Sequence, residues 1–251
     1  MTLLGLLAVA AVGTTSGLLI GCVGIGGVIV VPCLTYLGDV PIRTAIASAM
    51  LGYVLTGAVG TFVYARKRSI RWGMAAALCA GAAPAALGGA LFSNVAPGAV
   101  LELAIGLLTA GSGLYSLFGP APEAVERTLP RPRLAVIGAM TGFASAITGT
   151  GGPLVLVPLL MWFNLPVLTA IGLSQAIQLP ISVLASVGNL AYGAPEILLS
   201  ITLAVTLTVG TWAGARLAHA LAREALQRIV SIVLVVVGGL IVAKIVHRVV
   251  A

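Results

Sequence analysis

Thr148-Gly149-Thr150-Gly151-Gly152-Pro153 interrupts an interval, Leu134 to Pro195, that contains no Asp, Glu, Lys or Arg. A shorter version, Gly24-Ile25-Gly26-Gly27, interrupts the equally uncharged interval from Met1 to Gly38. Further charge-free runs extend from Thr44 to Ala65 and from Trp72 to Leu101. A helix needs about 20 mainly apolar residues to cross roughly 30 Å of hydrocarbon, so these intervals predict membrane-spanning helices. Strands of a β-barrel alternate in polarity and give no such runs. The glycine clusters mark places where a helix should stop, since only proline has a poorer helix propensity.

Composition agrees. The chain of 251 residues is 60% hydrophobic and 8% charged, with a mean hydropathy of +1.17. A soluble domain carries about 25% charged residues, because its surface faces water. The expected class is therefore an all-α polytopic membrane protein. Leu3 to Val12 resembles a signal peptide only superficially. It lacks a basic n-region and its apolar stretch continues past a normal cleavage point, so it is read as a structural segment. The formal charge of +7 is gathered in places such as Arg66-Lys67-Arg68 and Arg71, between apolar segments. Basic loops of this kind orient a protein in the membrane, and nucleic acid is not an expected partner. Cys22, Cys33 and Cys79 are odd in number and lie at no metal-ligand spacing, so neither a disulfide framework nor a metal site is expected.

Shifted by 125 residues, the sequence matches itself. Gly13, Gly17, Gly24, Gly26, Gly27, Gly89 and Gly113 fall on Gly138, Gly142, Gly149, Gly151, Gly152, Gly214 and Gly238. Chance would give about two such pairs. Pro41-Ile42-Arg43-Thr44-Ala45-Ile46 falls on Pro166-Val167-Leu168-Thr169-Ala170-Ile171. The predicted organisation is a repeat over residues 1–118, a Pro- and charge-rich linker over 119–133, and a second repeat over 134–251. Each repeat would hold a glycine-broken helix pair and three spans. In the first these lie near Thr44–Tyr64, Trp72–Phe92 and Ala99–Phe118; in the second, near Thr169–Ala191, Ile197–Ala218 and Leu226–Ile245. The segments beside the second break, Leu134–Ile147 and onward to Phe163, are short for full crossings, which favours re-entrant hairpins and inverted repeats. Inversion also gathers the Arg66–Arg71, Arg127–Arg133 and Arg216–Arg228 clusters on one side; Lys244 and Arg248 count weakly against it.

Unwound backbone at membrane depth is tolerated only when buried in protein or lining a watery cavity. Matched broken helices are the best sequence pointer to a transporter's binding site. A helix restarting after such a break presents unpaired N–H groups and a positive dipole end, and two converging ends would hold an anion without a charged side chain. Pro153 suits the first turn of a helix. Gly13/Gly17 and Gly138/Gly142 have the G-x-x-x-G spacing of close helix packing and are read so. Ser174, Gln175 and Gln178 either face a polar cavity or bind a neighbouring helix. Thr44 and Thr169 suit caps of their helix starts. The candidate substrate-binding set is Gly24, Gly26, Gly27, Thr44, Thr148, Gly149, Thr150, Gly151, Gly152, Thr169, Ser174, Gln175 and Gln178. All six acids (Asp39, Glu102, Glu123, Glu126, Glu196 and Glu224) and both histidines (His219 and His247) fall at loops or segment ends. No catalytic or metal residues and no cofactor are therefore expected, and the chain is not read as an enzyme.

Gly24-Ile25-Gly26-Gly27 with Pro32-Cys33-Leu34, and Gly149-Thr150-Gly151-Gly152 with Pro158-Leu159-Leu160, are each followed by Pro-x-x-Thr-Ala-Ile. In this pairing, across its whole length, the chain resembles the TauE/SafE family of sulfite exporter-like permeases. It departs from the family's pattern in carrying Val28 and Pro153 where a third glycine is usual. The resemblance implies a prokaryotic inner-membrane carrier of sulfite, sulfonates or related organic anions. Rival readings are a transporter of a cation or neutral solute, for which dependence on Glu102 would discriminate, and a non-transporting membrane component. The sequence leaves open coupling to a proton or sodium, the direction of transport, and assembly as a homo-oligomer.

Overall fold

The computed structural model describes residues 3–24, 26–36, 38–101, 103–104, 107, 129–163, 165–191, 195–220 and 232. Most of the spans expected near Ala99–Phe118 and Leu226–Ile245, the linker up to Thr128, and Glu102, Lys244, His247 and Arg248 lie outside the described residues.

Eight helices have both ends within the described residues: α1 (Leu3–Val23), α2 (Gly27–Tyr36), α3 (Ile42–Arg66), α4 (Trp72–Val95), α5 (Arg131–Thr148), α6 (Pro153–Trp162), α7 (Val167–Ala191) and α8 (Ile197–Ala218). Residues 98–101, 103–104 and 107 are also helical. There is no strand among the described residues. Five helices (α1, α3, α4, α7 and α8) are long and apolar enough to cross a membrane. The protein is an all-α polytopic membrane protein.

One boundary differs from expectation. α5 starts at Arg131, inside the stretch read as linker, with Pro130 as its N-cap and a proline in its first two positions. Proline there sacrifices no intrahelical hydrogen bond, so charge and proline at 130–133 open a helix rather than delay one.

Glycine sets which helices meet. Gly13 lies against Thr206, Gly17 against Leu207, and Gly21 against Thr211 and Ala215, so α1 and α8 run side by side in the same sense. α8 answers with Gly210 on Thr14 and Gly214 on Leu18. α4 and α5 pair in the same manner, through Gly81 on Ala135, Gly89 on Phe143, Gly138 on Leu78 and Gly142 on Ala82. At Gly17 a Cβ would lie 2.8 Å from the Leu207 carbonyl carbon. Such small-residue seams hold membrane helices where no hydrophobic force favours their association.

α3 and α7 cross at the centre in opposite senses, Gly60 meeting Gln175 and Gly57 meeting Leu179. Around them α8 runs with α3 (Glu196 N–H to Ser48 Oγ; Tyr64 beside His219). α4 runs with α7 (Cys79 Sγ to the Ala176 carbonyl; Asn94 Nδ2 to Asn189 Oδ1). Thus α1, α3 and α8 point one way while α4, α5 and α7 point the other. A 125-residue shift carries α1 onto α5, α3 onto α7 and α4 onto α8. In each of these pairs the two helices run in opposite senses.

These directions sort the charges. Arg66, Lys67, Arg68, Arg71, Arg131, Arg133 and Arg216 collect at one end of the bundle, hereafter the basic end. Asp39, Arg43 and Glu196 lie at the other, where Arg43 Nη2 donates to the Ala96 carbonyl at 2.8 Å.

Candidate functional site

Both glycine clusters end one helix and start another. α1 stops at Gly24 (φ 79°), whose N–H bonds the Leu19 and Ile20 carbonyls. α5 stops at the corresponding Gly149 (φ 69°), whose N–H bonds the Ser145 carbonyl. Both are left-handed terminations that glycine adopts without steric cost. Gly151 (φ 77°) and Gly152 (φ 109°) complete the second turn, and α6 restarts at Pro153.

A helix that ends inside a membrane strands carbonyls that water cannot reach, so other groups must serve them. At the end of α1, Gln175 Nε2 of α7 donates to the Ile20 carbonyl at 2.9 Å, and Tyr64 Oη of α3 donates to the Gly21 carbonyl at 2.8 Å. Gln175 is in turn fixed from α3, where Thr61 Oγ1 donates to its carbonyl at 3.0 Å. At the end of α5, Thr148 Oγ1 bonds the Ala144 carbonyl and lies 2.9 Å from Thr150 Oγ1.

The two hairpin tips touch. Gly27 packs on the Thr150 carbonyl so closely that any side chain there would collide with it. Tyr53 of α3 closes the contact: its hydroxyl donates to the Gly27 carbonyl at 3.1 Å, and its ring lies 3.0 Å from where a Gly151 Cβ would stand. Gly152 faces Ile177 and Ile181 of α7, and Gly149 faces Val31 and Ile46. The tips, Tyr53 and the middle of α7 thus surround one point at the crossing of α3 and α7.

Gln178 sits at that crossing beside Gly57, whose Cβ would meet its backbone carbon at 3.2 Å. It is completely buried, and neither Nε2 nor Oε1 has a hydrogen-bond partner among the described residues. Further along the same face of α7, Ser182, Ser186 and Asn189 are also buried. Ser186 Oγ and Asn189 Nδ2 are likewise without partners among the described residues. The described cations and carboxylates all lie at helix ends. The described residues contain no group of three or more His, Cys, Asp or Glu able to hold a metal.

The expected residues separate into distinct roles. Gly24, Gly27, Thr148, Gly149, Thr150, Gly151, Gly152 and Gln178 form or flank the meeting point. Gly26 is turned into α1, against the Ser16 carbonyl and Ile20 nitrogen, where it permits close packing. Gln175 serves the end of α1, and Ser174 Oγ bonds the Ile171 carbonyl of its own helix at 2.7 Å. The capping expectation for Thr44 is corrected. The N-cap of α3 is Pro41, with no side-chain cap bond, and Thr44 is the third residue of the helix. Thr169 is likewise the third residue of α7. Neither is at the meeting point. Tyr53 was not anticipated, although the 125-residue shift carries it onto Gln178. Ser182, Ser186 and Asn189 were also legible, at helical spacing from Gln178.

The chain belongs to the sulfite exporter TauE/SafE family, whose model matches residues 9–241. It is similar to the "Probable membrane transporter protein YdhB" of Bacillus subtilis (strain 168), at 23% identity over 233 residues, 90% of this chain and 95% of that one. It is also similar to the "Probable membrane transporter protein MJ0441" of Methanocaldococcus jannaschii, at 25% identity over 66% of this chain and 65% of that one. No solved structure matches it. The chain is a multi-pass membrane transporter of this family.

Proposed function

We propose that the protein carries a small sulfur-containing oxyanion, sulfite or an organic sulfonate, by alternating access, and binds it where the two hairpin tips meet. Gln178 carries the reading. Leaving a buried polar group unsatisfied costs about 1–3 kcal/mol, and a hydrogen-bonding solute at the tips would satisfy its amide. The hydroxyls of Thr148 and Thr150 and the opening turns of α2 and α6 add neutral donors and positive dipole ends, which suit an anion. The family's sulfite exporter description agrees with that chemistry.

The halves are read as inverted repeats, with α1–α2 and α5–α6 as re-entrant hairpins. The opposed senses of α1 and α5, α3 and α7, and α4 and α8 support this. So do the lengths of α2 and α6, 10 residues each, or about 15 Å, half of a hydrocarbon core. Inverted repeats that rock against each other expose a fixed central site to each side in turn. The basic end is assigned to the cytoplasm of a prokaryotic inner membrane by the positive-inside rule.

The test is flux of radiolabelled sulfite and of a simple sulfonate into proteoliposomes, with and without a pH gradient. Saturable uptake of either supports the reading, and a response to the gradient would assign a coupling proton. Folded protein that moves no anion, or only a cation or neutral solute, would overturn it.

A further inference from the structure

A second feature lies away from the hairpin tips, at the basic end. Phe62, Val63, Arg66 and Lys67 of α3 and its C-cap, with Trp212 and Arg216 of α8, line a cavity of about 500 Å³. That volume lies within the range of small-ligand sites. The Arg66 guanidinium lies 4.5 Å from the centroid of the Phe62 ring, and that of Arg216 lies 3.8 Å from the Trp212 ring. Stacking on an aromatic face holds a guanidinium in place and leaves its edge free to bond an anion.

Basic residues at helix C-termini on one side of a membrane are ordinary, since they complement the helix dipole and orient the chain. Here, however, three cations from two helices converge on one cavity. The two described acids, Asp39 and Glu196, are at the opposite end of the bundle. Below the cations each helix presents an apolar, outward-facing stripe. On α3 it is Leu55 and Phe62, 52% and 54% exposed; on α8 it is Val205, Val209 and Trp212, 56%, 57% and 44% exposed. Spacings of seven and four on α3, and of four, three and four on α8, place each stripe on the same helix face as Arg66 or Arg216. A soluble anion would have no use for these stripes. An amphiphile with an anionic head would use both.

We infer that this cavity binds the headgroup of an anionic phospholipid, its phosphodiester on Arg66, Lys67 and Arg216 and its acyl chains along the exposed faces of α3 and α8. Basic pockets between membrane helices are a recognised lipid-binding chemistry. The inference does not depend on what the transporter carries.

The test reads quenching of Trp212, in a chain carrying W72F and W162F, by brominated lipids in phosphatidylcholine vesicles. Brominated phosphatidylglycerol should quench Trp212 far more effectively than brominated phosphatidylcholine. Replacing both arginines (R66Q with R216Q) should weaken that preference about 30-fold, at the usual contribution of each cation near an anionic surface. R43Q, at the opposite end, should leave it unchanged. Equal quenching by the two lipids, which needs no arginine variant, would overturn the inference. So would an intact preference in the double variant. Displacement of the lipid by inorganic phosphate, beyond that caused by sodium chloride of matched ionic strength, would assign the cavity to a soluble anion instead.

Discussion

Replacing Gln178 by leucine separates a binding role from a packing role, because the two demand opposite effects on stability. The side chain is fully buried with both amide atoms unpartnered. Each such atom costs about 1–3 kcal/mol. Leucine is similar in volume and has no polar atoms, so Gln178→Leu should stabilise the substrate-free protein by at least about 1 kcal/mol. If Gln178 bonds the transported anion, the same change removes one charge-assisted hydrogen bond, about 1.5–3 kcal/mol. That corresponds to a loss of roughly 10- to 150-fold in apparent affinity or flux. The assay pairs initial rates of sulfite uptake into proteoliposomes with thermal unfolding of the same preparation. The expected result is a more stable protein that transports poorly. Unchanged flux would refute the binding role. A parallel fall in stability and flux would show that Gln178 holds the fold through groups outside the described residues.

Four further outcomes follow from the geometry. Gly17→Leu and Gly142→Leu drive a side chain into the neighbouring helix backbone. Each should cost more than about 1–3 kcal/mol and lower the yield of monodisperse protein, whereas Gly88→Ala, with nothing within 4 Å, should be neutral or stabilise by up to about 1 kcal/mol. Gly151→Ala forces a side chain into a left-handed conformation against the Tyr53 ring and should cost about 1–2 kcal/mol, read as a lower unfolding midpoint with lost uptake. Tyr53→Phe removes only the bond to the Gly27 carbonyl, about 0.5–1.5 kcal/mol, and should slow uptake without preventing membrane insertion. In a cysteine-free chain, impermeant thiol reagents should label K67C and R133C from one face of the membrane and D39C and E196C from the other. Labelling of E196C from the same face as K67C would refute the inverted arrangement.

Much of this molecule could be read locally. Charge-free intervals longer than a bilayer crossing fix its class, and Gly24 and Gly149 announce helix ends, because chain-local energetics decide both. α8 begins and ends where composition places it, at Ile197 and Ala218. α5 was misplaced at its start because Pro132 is compatible with either a linker or a first turn, and only the helix packed on α4 distinguishes them.

What a polar residue does at depth depended on its neighbours. Ser174, Gln175 and Gln178 lie within five positions on one helix and look alike in sequence. Ser174 bonds its own helix. Gln175 Nε2 serves the Ile20 carbonyl at the end of α1, while its Oε1 is unpartnered among the described residues. In Gln178 both amide atoms are unpartnered among them. Tyr53 reads as an aromatic in an apolar run until α2 brings the Gly27 carbonyl to its hydroxyl. The sequence by itself determined that helices break at two matched places, since glycine's backbone freedom belongs to the residue. The tertiary structure decided that the breaks meet and that α1 packs on α8 and α5 on α4. Those pairings rest on backbone-to-backbone contacts between helices far apart in the chain, which no local pattern specifies.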